Sequence, residues 1–307
     1  MNVSHAQTSV DGSQLSVSPR YPDANQVVKV RLENYGVNLN TLEITWSLNG
    51  VIMEKGVGDK DFEFTIGSLG SASSVRVSSS QFTKTIQVRP SRINLIWQAH
   101  TYTPPFYKGK ALYTHQSKVD IIAIPSFVSS TGALINPDTL VYKWTRNGTI
   151  LGNQSGYGKR VLSTAGGTLA KPLTIEVEAS TIDGVLKNVQ VLELKAVQPH
   201  IILYENHPLY GVMYNQSVPN TFTLTSQEIY LSSTPYFFET NQKNGPTLSY
   251  EWKMNGQKIP NQIDPSSLIL RRPEGNNGGV AIISLLVRNT EKILQYANRL
   301  IKIQFET

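Results

Sequence analysis

Three short stretches of the chain repeat one pattern of apolar and polar positions around a tryptophan. They are residues 44–50 (ITWSLNG), 142–148 (YKWTRNG) and 250–256 (YEWKMNG). In each stretch the tryptophan and the apolar residue two places before it alternate with polar residues, which is typical of a β-strand with one buried face. The Asn-Gly pair that follows tolerates the positive φ angles of a type I′ hairpin. Each stretch therefore predicts a strand that turns directly into a neighbouring strand.

The spacing of the three tryptophans predicts the length of a repeated module. Trp46, Trp144 and Trp252 lie 98 and 108 residues apart. Short alternating segments keep a similar distance from each tryptophan, both upstream and downstream, as at residues 28–32, 62–66, 75–77 and 83–88 around the first one. About seven short strands in roughly 100 residues is the pattern of an immunoglobulin-like (Ig-like) sandwich. The tryptophans are accordingly expected to pack in the cores.

These patterns predict an all-β chain of three tandem Ig-like β-sandwich domains that form a semi-rigid rod. The predicted domains are residues 1–90, 91–198 and 199–307. Their joints fall at Arg89-Pro90 and Gln198-Pro199, where short proline-containing linkers leave little freedom. The best helical candidate is residues 291–298, and a hairpin tip explains that segment almost as well.

Composition fits packed domains and disfavours nucleic acid as a partner. Of the 307 residues, 39% are hydrophobic and 16% are charged, which is too apolar for a disordered chain. The formal net charge is only +6, and the basic residues are scattered along the sequence. The densest pair, Arg271-Arg272, precedes Pro273 and Glu274, as expected of a solvated strand end.

Several observations favour export. The chain has no cysteine, which removes disulfides, thiolate nucleophiles and thiolate metal sites. No stretch approaches the roughly 20 apolar residues that span a bilayer. Residues 4–7 (SHAQ) resemble the end of a secretory signal. We expect an extracellular or cell-surface protein whose signal peptide is missing from this sequence.

The tryptophan motifs resemble the Ig-like and PKD-like modules of exported bacterial surface proteins, and the resemblance covers all three modules. The paired core cysteines of antibody domains are absent, so no antibody-like role carries over. Residues 97–110 (WQAHTYTPPFYKGK) and 204–211 (YENHPLYG) are similar to exported tandem Ig-like proteins that are associated with type IV pilus systems. That resemblance implies a surface or pilus-linked role and no established activity.

The same two segments hold the candidate functional residues. Each places a histidine, proline and aromatic residues after the first strand of a module, and aromatic side chains on stiff loops bind sugars or protein surfaces with little loss of entropy. The alternative is that the prolines mark a strand crossing between sheets and the aromatics seal a joint between modules. The candidate partner-binding residues are His100, Tyr102, Phe106, Tyr107, His207 and Tyr210.

No catalytic set, cofactor site or metal site is predicted. The five histidines show no metal-ligand spacing, and neither HExxH nor GxSxG occurs. The leading hypothesis is a structural or adhesive protein whose partner is a protein or glycan at the cell surface. The alternatives are a set of carbohydrate-binding modules that stack sugars on Tyr102, Phe106, Tyr107 and Tyr210, and an enzyme whose site is assembled across a module joint around His100 and His207.

Overall fold

The computed structural model describes residues 12–168, 171–260, 263–272 and 278–305. The predicted all-β class is confirmed, because in these ranges the helices are three short 3-10 turns at Leu39–Thr41, Pro137–Thr139 and Gly152–Gln154. Two parts of the sequence analysis lie outside the described residues. They are the segment 4–7 that resembles the end of a secretory signal, with His5 in it, and the pair Pro273 and Glu274.

Most strands follow one another with short connections, and a longer one, residues 100–117, joins β8 to β9. Among the described residues before position 100 they are β1 Ser13–Ser18, β2 Val27–Asn34, β3 Glu43–Leu48, β4 Val51–Val57, β5 Asp61–Thr65, β6 Ser73–Ser78, β7 Thr83–Val88 and β8 Arg92–Ala99. The next are β9 Lys118–Ser126, β10 Val141–Arg146, β11 Thr149–Ile150, β12 Gly156–Tyr157, β13 Val161–Ala165, β14 Leu173–Ser180 and β15 Lys187–Leu194. The last are β16 His200–His207, β17 Gly211–Ser217, β18 Thr221–Leu224, β19 Glu228–Tyr236, β20 Leu248–Met254, β21 Gln257–Lys258, β22 Ser267–Arg271, β23 Gly279–Asn289 and β24 Tyr296–Phe305.

The three tryptophan motifs form equivalent strands with buried indole rings, as predicted. Trp46 on β3, Trp144 on β10 and Trp252 on β20 are 0%, 0% and 2% exposed. Each indole N–H donates a hydrogen bond of 2.8 to 2.9 Å to a backbone carbonyl that lies 13 or 15 residues downstream, at Asp59, Lys159 and Pro265 respectively. A buried indole needs such a partner, and the chain supplies it in the same way three times.

The Asn-Gly turns have the predicted positive dihedral angles. The asparagines have φ of 49° to 52° and the glycines have φ of 82° to 86°, which are the left-handed values that a type I′ hairpin requires. The turn asparagines also accept hydrogen bonds across the sheet: Asn49 Oδ1 accepts from the Ser74 N–H and Asn255 Oδ1 from the Ile282 N–H, both at 2.9 Å. These side chains tie the turn to the next strand.

The chain divides into two compact units. The first comprises Met1–Ile96, Ile122–Val161 and Ile175–Leu192, and the second comprises Trp97–Ile121, Leu162–Thr174 and Glu193–Thr307. The predicted domain boundaries at residues 90 and 198 stay a prediction. Two sheets come from the middle of the chain, with the orders β11-β10-β14-β15, in which β12 also pairs with β10, and β13-β9-β8.

In the first unit, two sheets enclose a core around Trp46. Their orders are β1-β2-β5 and β4-β3-β6-β7. The Phe62 ring stacks on the indole at 5.6 Å, and Val30 and Val77 complete the centre of this core. The segment after β7 is fixed within the same unit. Ser91 is buried, and its N–H donates to the Pro22 carbonyl at 2.9 Å.

The Asn188 side chain on β15 also binds Ser91. Its amide Nδ2 donates to the Ser91 carbonyl at 2.6 Å and lies 3.1 Å from the Ser91 Oγ. The Ser91 hydroxyl in turn donates to the Lys187 carbonyl at 3.2 Å. Because Ser91 directly follows the predicted joint at Arg89-Pro90, these buried bonds support the expectation that this linker has little freedom.

In the second unit, two sheets enclose a core around Trp252. Their orders are β17-β16-β19-β22 and β18-β24-β23-β20-β21, and β18 runs parallel to β24. Leu203, Leu231, Ile283 and Ile301 are at most 1% exposed in this core. The first and second units thus each contain a sandwich that closes its own hydrophobic interior around one tryptophan.

The helix considered for residues 291–298 is wrong, and the alternative of a hairpin tip between β23 and β24 is correct. The Asn289 Oδ1 accepts hydrogen bonds from the N–H groups of Glu291 and Lys292 at 3.0 and 3.1 Å. This side chain, and not a helical backbone carbonyl, therefore pairs these two N–H groups of the turn. The tip carries Gln295, whose side chain is fully buried.

Gln295 binds three separate segments of the second unit. Its Nε2 donates to the His115 carbonyl at 2.9 Å and to the Thr114 Oγ1 at 3.2 Å. Its Oε1 accepts from the Glu239 N–H at 2.9 Å and from the Asn289 Nδ2 at 3.2 Å. One buried amide therefore fastens residues 114–115 to the sandwich that contains Trp252.

Candidate functional site

The first aromatic segment, residues 97–110, is fixed by backbone hydrogen bonds to the residues after β19. The Tyr102 N–H donates to the Phe238 carbonyl, and the Tyr102 carbonyl accepts the Phe237 N–H, both at 2.8 Å. The Thr101 hydroxyl donates to the Leu112 carbonyl at 2.8 Å. Burial of the half-buried Tyr102 ring raises the pKa of its hydroxyl. Tyr102 therefore stabilises the conformation of residues 97–110.

Phe106 stands at the tip of this segment and is turned into solvent. Its ring is 91% exposed and its φ is +64°, a left-handed angle that is uncommon for an aromatic residue. The turn is closed by the Tyr107 N–H, which donates to the Pro104 carbonyl at 3.3 Å. Such strained residues cluster at functional sites.

Tyr107 packs against two rings that the sequence reasoning did not include. Its ring meets Tyr236 edge-on at 5.8 Å and Phe237 edge-on at 6.0 Å. His200 stacks flat on Tyr236 at 5.1 Å. The Tyr236 hydroxyl lies 2.7 Å from the Tyr204 hydroxyl, and burial together with this contact raises the pKa of Tyr236. This aromatic packing agrees with the alternative prediction that some of the rings have a structural role.

Beside these rings lies a groove of about 400 Å³, which we call the aromatic groove. Its walls are aromatic and proline side chains, and its polar groups are one lysine, one amide and the tyrosine hydroxyls. The lining residues are Pro104, Pro105, Phe106, Tyr107, Lys108, Tyr214, Asn215 and Tyr236. The volume lies within the range of about 300 to 1,000 Å³ that is typical of small-ligand pockets.

The second aromatic segment forms the turn between β16 and β17. The His207 and Tyr210 rings stack on each other at 4.7 Å. The Leu209 N–H donates to the His207 Nδ1 at 3.2 Å, which places the proton of a neutral His207 on Nε2. Tyr210 is 74% exposed. Neither ring lines the aromatic groove, so the six candidates do not form one site.

His100 belongs to a third location. Its Nε2 lies 2.6 Å from the Asp120 Oδ2, and the Ser163 hydroxyl donates to the other oxygen, Asp120 Oδ1, at 2.5 Å. The hydrogen bond from Ser163 lowers the pKa of Asp120 more than burial raises it, and the contact with His100 lowers it further. The pKa of Asp120 therefore lies below its usual value. In a Ser-His-Asp triad the histidine stands between the other two. Here the aspartate does, so the order does not activate the serine.

His100 also lines a polar cavity of about 330 Å³, together with Lys118, Glu239, Asn289 and Lys292. The Lys118 N–H donates to the Glu239 Oε2 at 3.0 Å, so this carboxylate already has a protein partner. No group of three or more His, Cys, Asp or Glu side chains that could hold a metal ion occurs in the described residues.

The residues that sequence reasoning missed come from distant strands. Tyr214 lies on β17, and Tyr236 ends β19. The available signal was the run Tyr236-Phe237-Phe238 at the end of a strand, which is unusual for a loop facing water. Among the described residues, no helix has the length and apolar character that crossing a membrane needs.

Comparisons with known proteins give only distant structural similarities. No family model matches the chain, and no curated protein matches it. Three N-terminal domains of the bacteriophage RB49 highly immunogenic outer capsid protein (Hoc) align over 95% of this chain and 98% of their own, with 11% identity and a TM-score of 0.26. The central fibronectin-III array of RIM-binding protein aligns over 95% and 96%, with 10% identity and a TM-score of 0.31. At such low TM-scores these similarities carry no argument about function.

Proposed function

We propose that this chain is a non-catalytic structural or adhesive protein that works outside the cytoplasm and presents binding surfaces on tandem Ig-like sandwiches. The observation that carries the proposal is the aromatic groove, where the exposed Phe106 stands on a backbone already fixed by the bonds of Tyr102. A rigid aromatic side chain on a fixed turn loses little entropy on binding. A surface location and a link to a pilus system belong to this proposal and rest on the resemblance of residues 97–110 and 204–211.

Photo-crosslinking tests whether the groove binds a partner. A photoreactive phenylalanine analogue replaces Phe106 in one protein and Tyr35 in a matched control, because both side chains are highly exposed, at 91% and 86%. After irradiation with intact cell envelopes of the source organism, position 106 should give a defined product and position 35 should not. The same product from both positions, or none from position 106, would contradict a binding role for the groove.

The location is tested separately. Protease added to intact cells should degrade the native protein while a cytoplasmic marker stays whole. Recovery of the protein only in the cytoplasmic fraction would remove the extracellular part of the proposal and leave the groove experiment unaffected. Co-sedimentation with sheared pili would support the pilus link, and its absence would remove that link alone.

A second candidate function is carbohydrate binding, which the rings and the Asn215 amide in one groove favour. Aromatic faces stack on sugar rings, and amides bind sugar hydroxyls. Of the four proposed stacking residues, Phe106 and Tyr210 are exposed, whereas Tyr102 and Tyr107 also support the fold. Substituting Tyr102 or Tyr107 would therefore change the stability of the fold as well as the affinity for a sugar.

A glycan array decides between the two candidates. The paired variant Phe106→Ala with Tyr210→Ala should lower the affinity for any bound glycan at least about tenfold. The control pair, Tyr35→Ala with Tyr157→Ala, removes two exposed rings elsewhere and should leave binding intact. An array without a hit, or hits that survive the first pair, would reject the carbohydrate reading.

A further inference from the structure

A second cleft, of about 480 Å³, lies in the first unit beside the segment that follows β7. Its apolar walls include Leu15 and Val17 from β1 and Ile86 from β7, all half-buried. Its polar rim carries three basic side chains, those of Arg20, Arg89 and Lys187. We call this the basic cleft. Among the described residues it shares no lining residue with the aromatic groove, so a ligand bound here would not depend on that groove.

The charges in the basic cleft are unbalanced. None of the described residues that line the cleft is acidic. The Lys187 Nζ contacts the Glu178 Oε1 at 2.8 Å, but Glu178 lies outside the lining and also contacts Lys143 at 3.3 Å. Among the described residues, neither Arg20 nor Arg89 forms an ion pair with a carboxylate. A cleft lined by two unpaired guanidinium groups and by Lys187, which has an acidic partner, carries a positive potential that attracts anions.

The cleft also offers apolar surface next to the cations. The Arg20 guanidinium lies 5.3 Å from the centre of the Tyr21 ring, and that ring lines the cleft with Ile86 and Val17. A guanidinium binds carboxylate or sulfate through paired hydrogen bonds, while an aromatic ring accepts the apolar face of a sugar. The two features together suit a ligand that alternates sugar rings with anionic groups.

We propose that the basic cleft binds an acidic polysaccharide that carries carboxylate or sulfate groups. Nucleic acid fits less well, because its affinity comes from many phosphate contacts spread along a basic surface, whereas this site has three cations around one cleft. The basic residues are far apart in sequence, and folding brings them together.

The test is a titration of the whole chain with four hexamers at one salt concentration: a sulfated glucan, an oligogalacturonate, a neutral glucan and single-stranded DNA. At least one acidic sugar should bind, and the neutral glucan should not. The double variant Arg20→Gln with Arg89→Gln should weaken that binding at least about tenfold. The control Arg288→Gln with Lys302→Gln removes the same charge from exposed positions on β23 and β24 and should change affinity less than about twofold.

Three results would overturn the proposal. The first is that neither acidic sugar binds the unmodified chain. The second is an equal loss in the control variant, which would indicate general attraction by net charge. The third is DNA binding as tight as that of the sugars, which would show that the ligand class is wrong. If the double variant unfolds, the single variant Arg20→Gln replaces it, because Arg20 is exposed and its substitution should leave the fold intact. A loss of affinity of less than about twofold in that variant would count against the site.

Discussion

Replacing Gln295 by alanine should loosen the second unit around the hairpin tip between β23 and β24. The substitution removes four hydrogen bonds made by a fully buried side chain. The Glu239 N–H and the His115 carbonyl, which are both partly buried, then lose that partner. Each such group costs about 1 to 3 kcal/mol, so a loss of about 3 kcal/mol in the free energy of unfolding is expected for the two together.

Hydrogen exchange of backbone amides is the suitable assay, since a multi-domain chain need not unfold in one step. A loss of about 3 kcal/mol should speed the exchange of the most protected amides on β23 and β24 about a hundredfold. The Tyr102 amide should also exchange faster if Gln295 helps to hold residues 97–121. The control Gln87→Ala, at an exposed position in the first unit, should leave these rates unchanged.

A second variant separates lost bonds from lost volume. Gln295→Glu preserves the shape but faces the His115 carbonyl with a carboxylate, so it should destabilise at least as much as alanine does. An acceleration below about fivefold in both variants would refute the view that this amide fastens the segment. Normal stability of the Glu variant alone would mean that packing, and not hydrogen bonding, matters at this position.

Three further predictions concern the stability of the fold. Asn49→Ala should cost about 1 to 2 kcal/mol, because alanine disfavours the positive φ and loses the bond from Ser74, and Asn49→Gly should cost less; equal urea midpoints for the two variants would contradict this. Asn188→Leu should destabilise the first unit by about 2 kcal/mol by leaving the Ser91 carbonyl unpaired, and unchanged hydrogen exchange at β7 would count against it. Burial raises the pKa of Asp264, but serine hydrogen bonds outweigh it and hold the pKa below its usual value. Its contribution to stability is therefore full above the unfolded pKa of about 3.9 and is lost as the pH falls through the lower folded value, and Asp264→Asn should flatten that part of the acid-unfolding curve.

Much of the fold could be predicted because the information is local. The alternation around each tryptophan, the Asn-Gly turn and the following strands all lie within a few tens of residues. The segment 291–298 shows the limit of this reasoning. Its composition suits a helix, yet the Asn289 side chain satisfies the turn, and the burial of Gln295 depends on residues 114–115, far away in the chain.

The candidate site could be predicted only in part for the same reason. Phe106 and Tyr107 stood out because prolines and rings are adjacent in sequence. The opposite wall of the aromatic groove, with Tyr214 and Tyr236, comes from strands more than 100 residues later. The basic cleft could not be predicted, since Arg20, Arg89 and Lys187 are scattered in sequence until the ends of β1 and β7 meet the start of β15.

The central claim is that a tryptophan-anchored strand is repeated three times, and the indole N–H groups test it most directly. The chain has four tryptophans. Three donate to backbone carbonyls inside the fold, whereas the half-buried Trp97 ring carries Lys110 above its face. A proton–nitrogen NMR spectrum after transfer to heavy water should keep three indole signals and lose that of Trp97 first. Early loss of any signal from Trp46, Trp144 or Trp252 would contradict the repeated architecture.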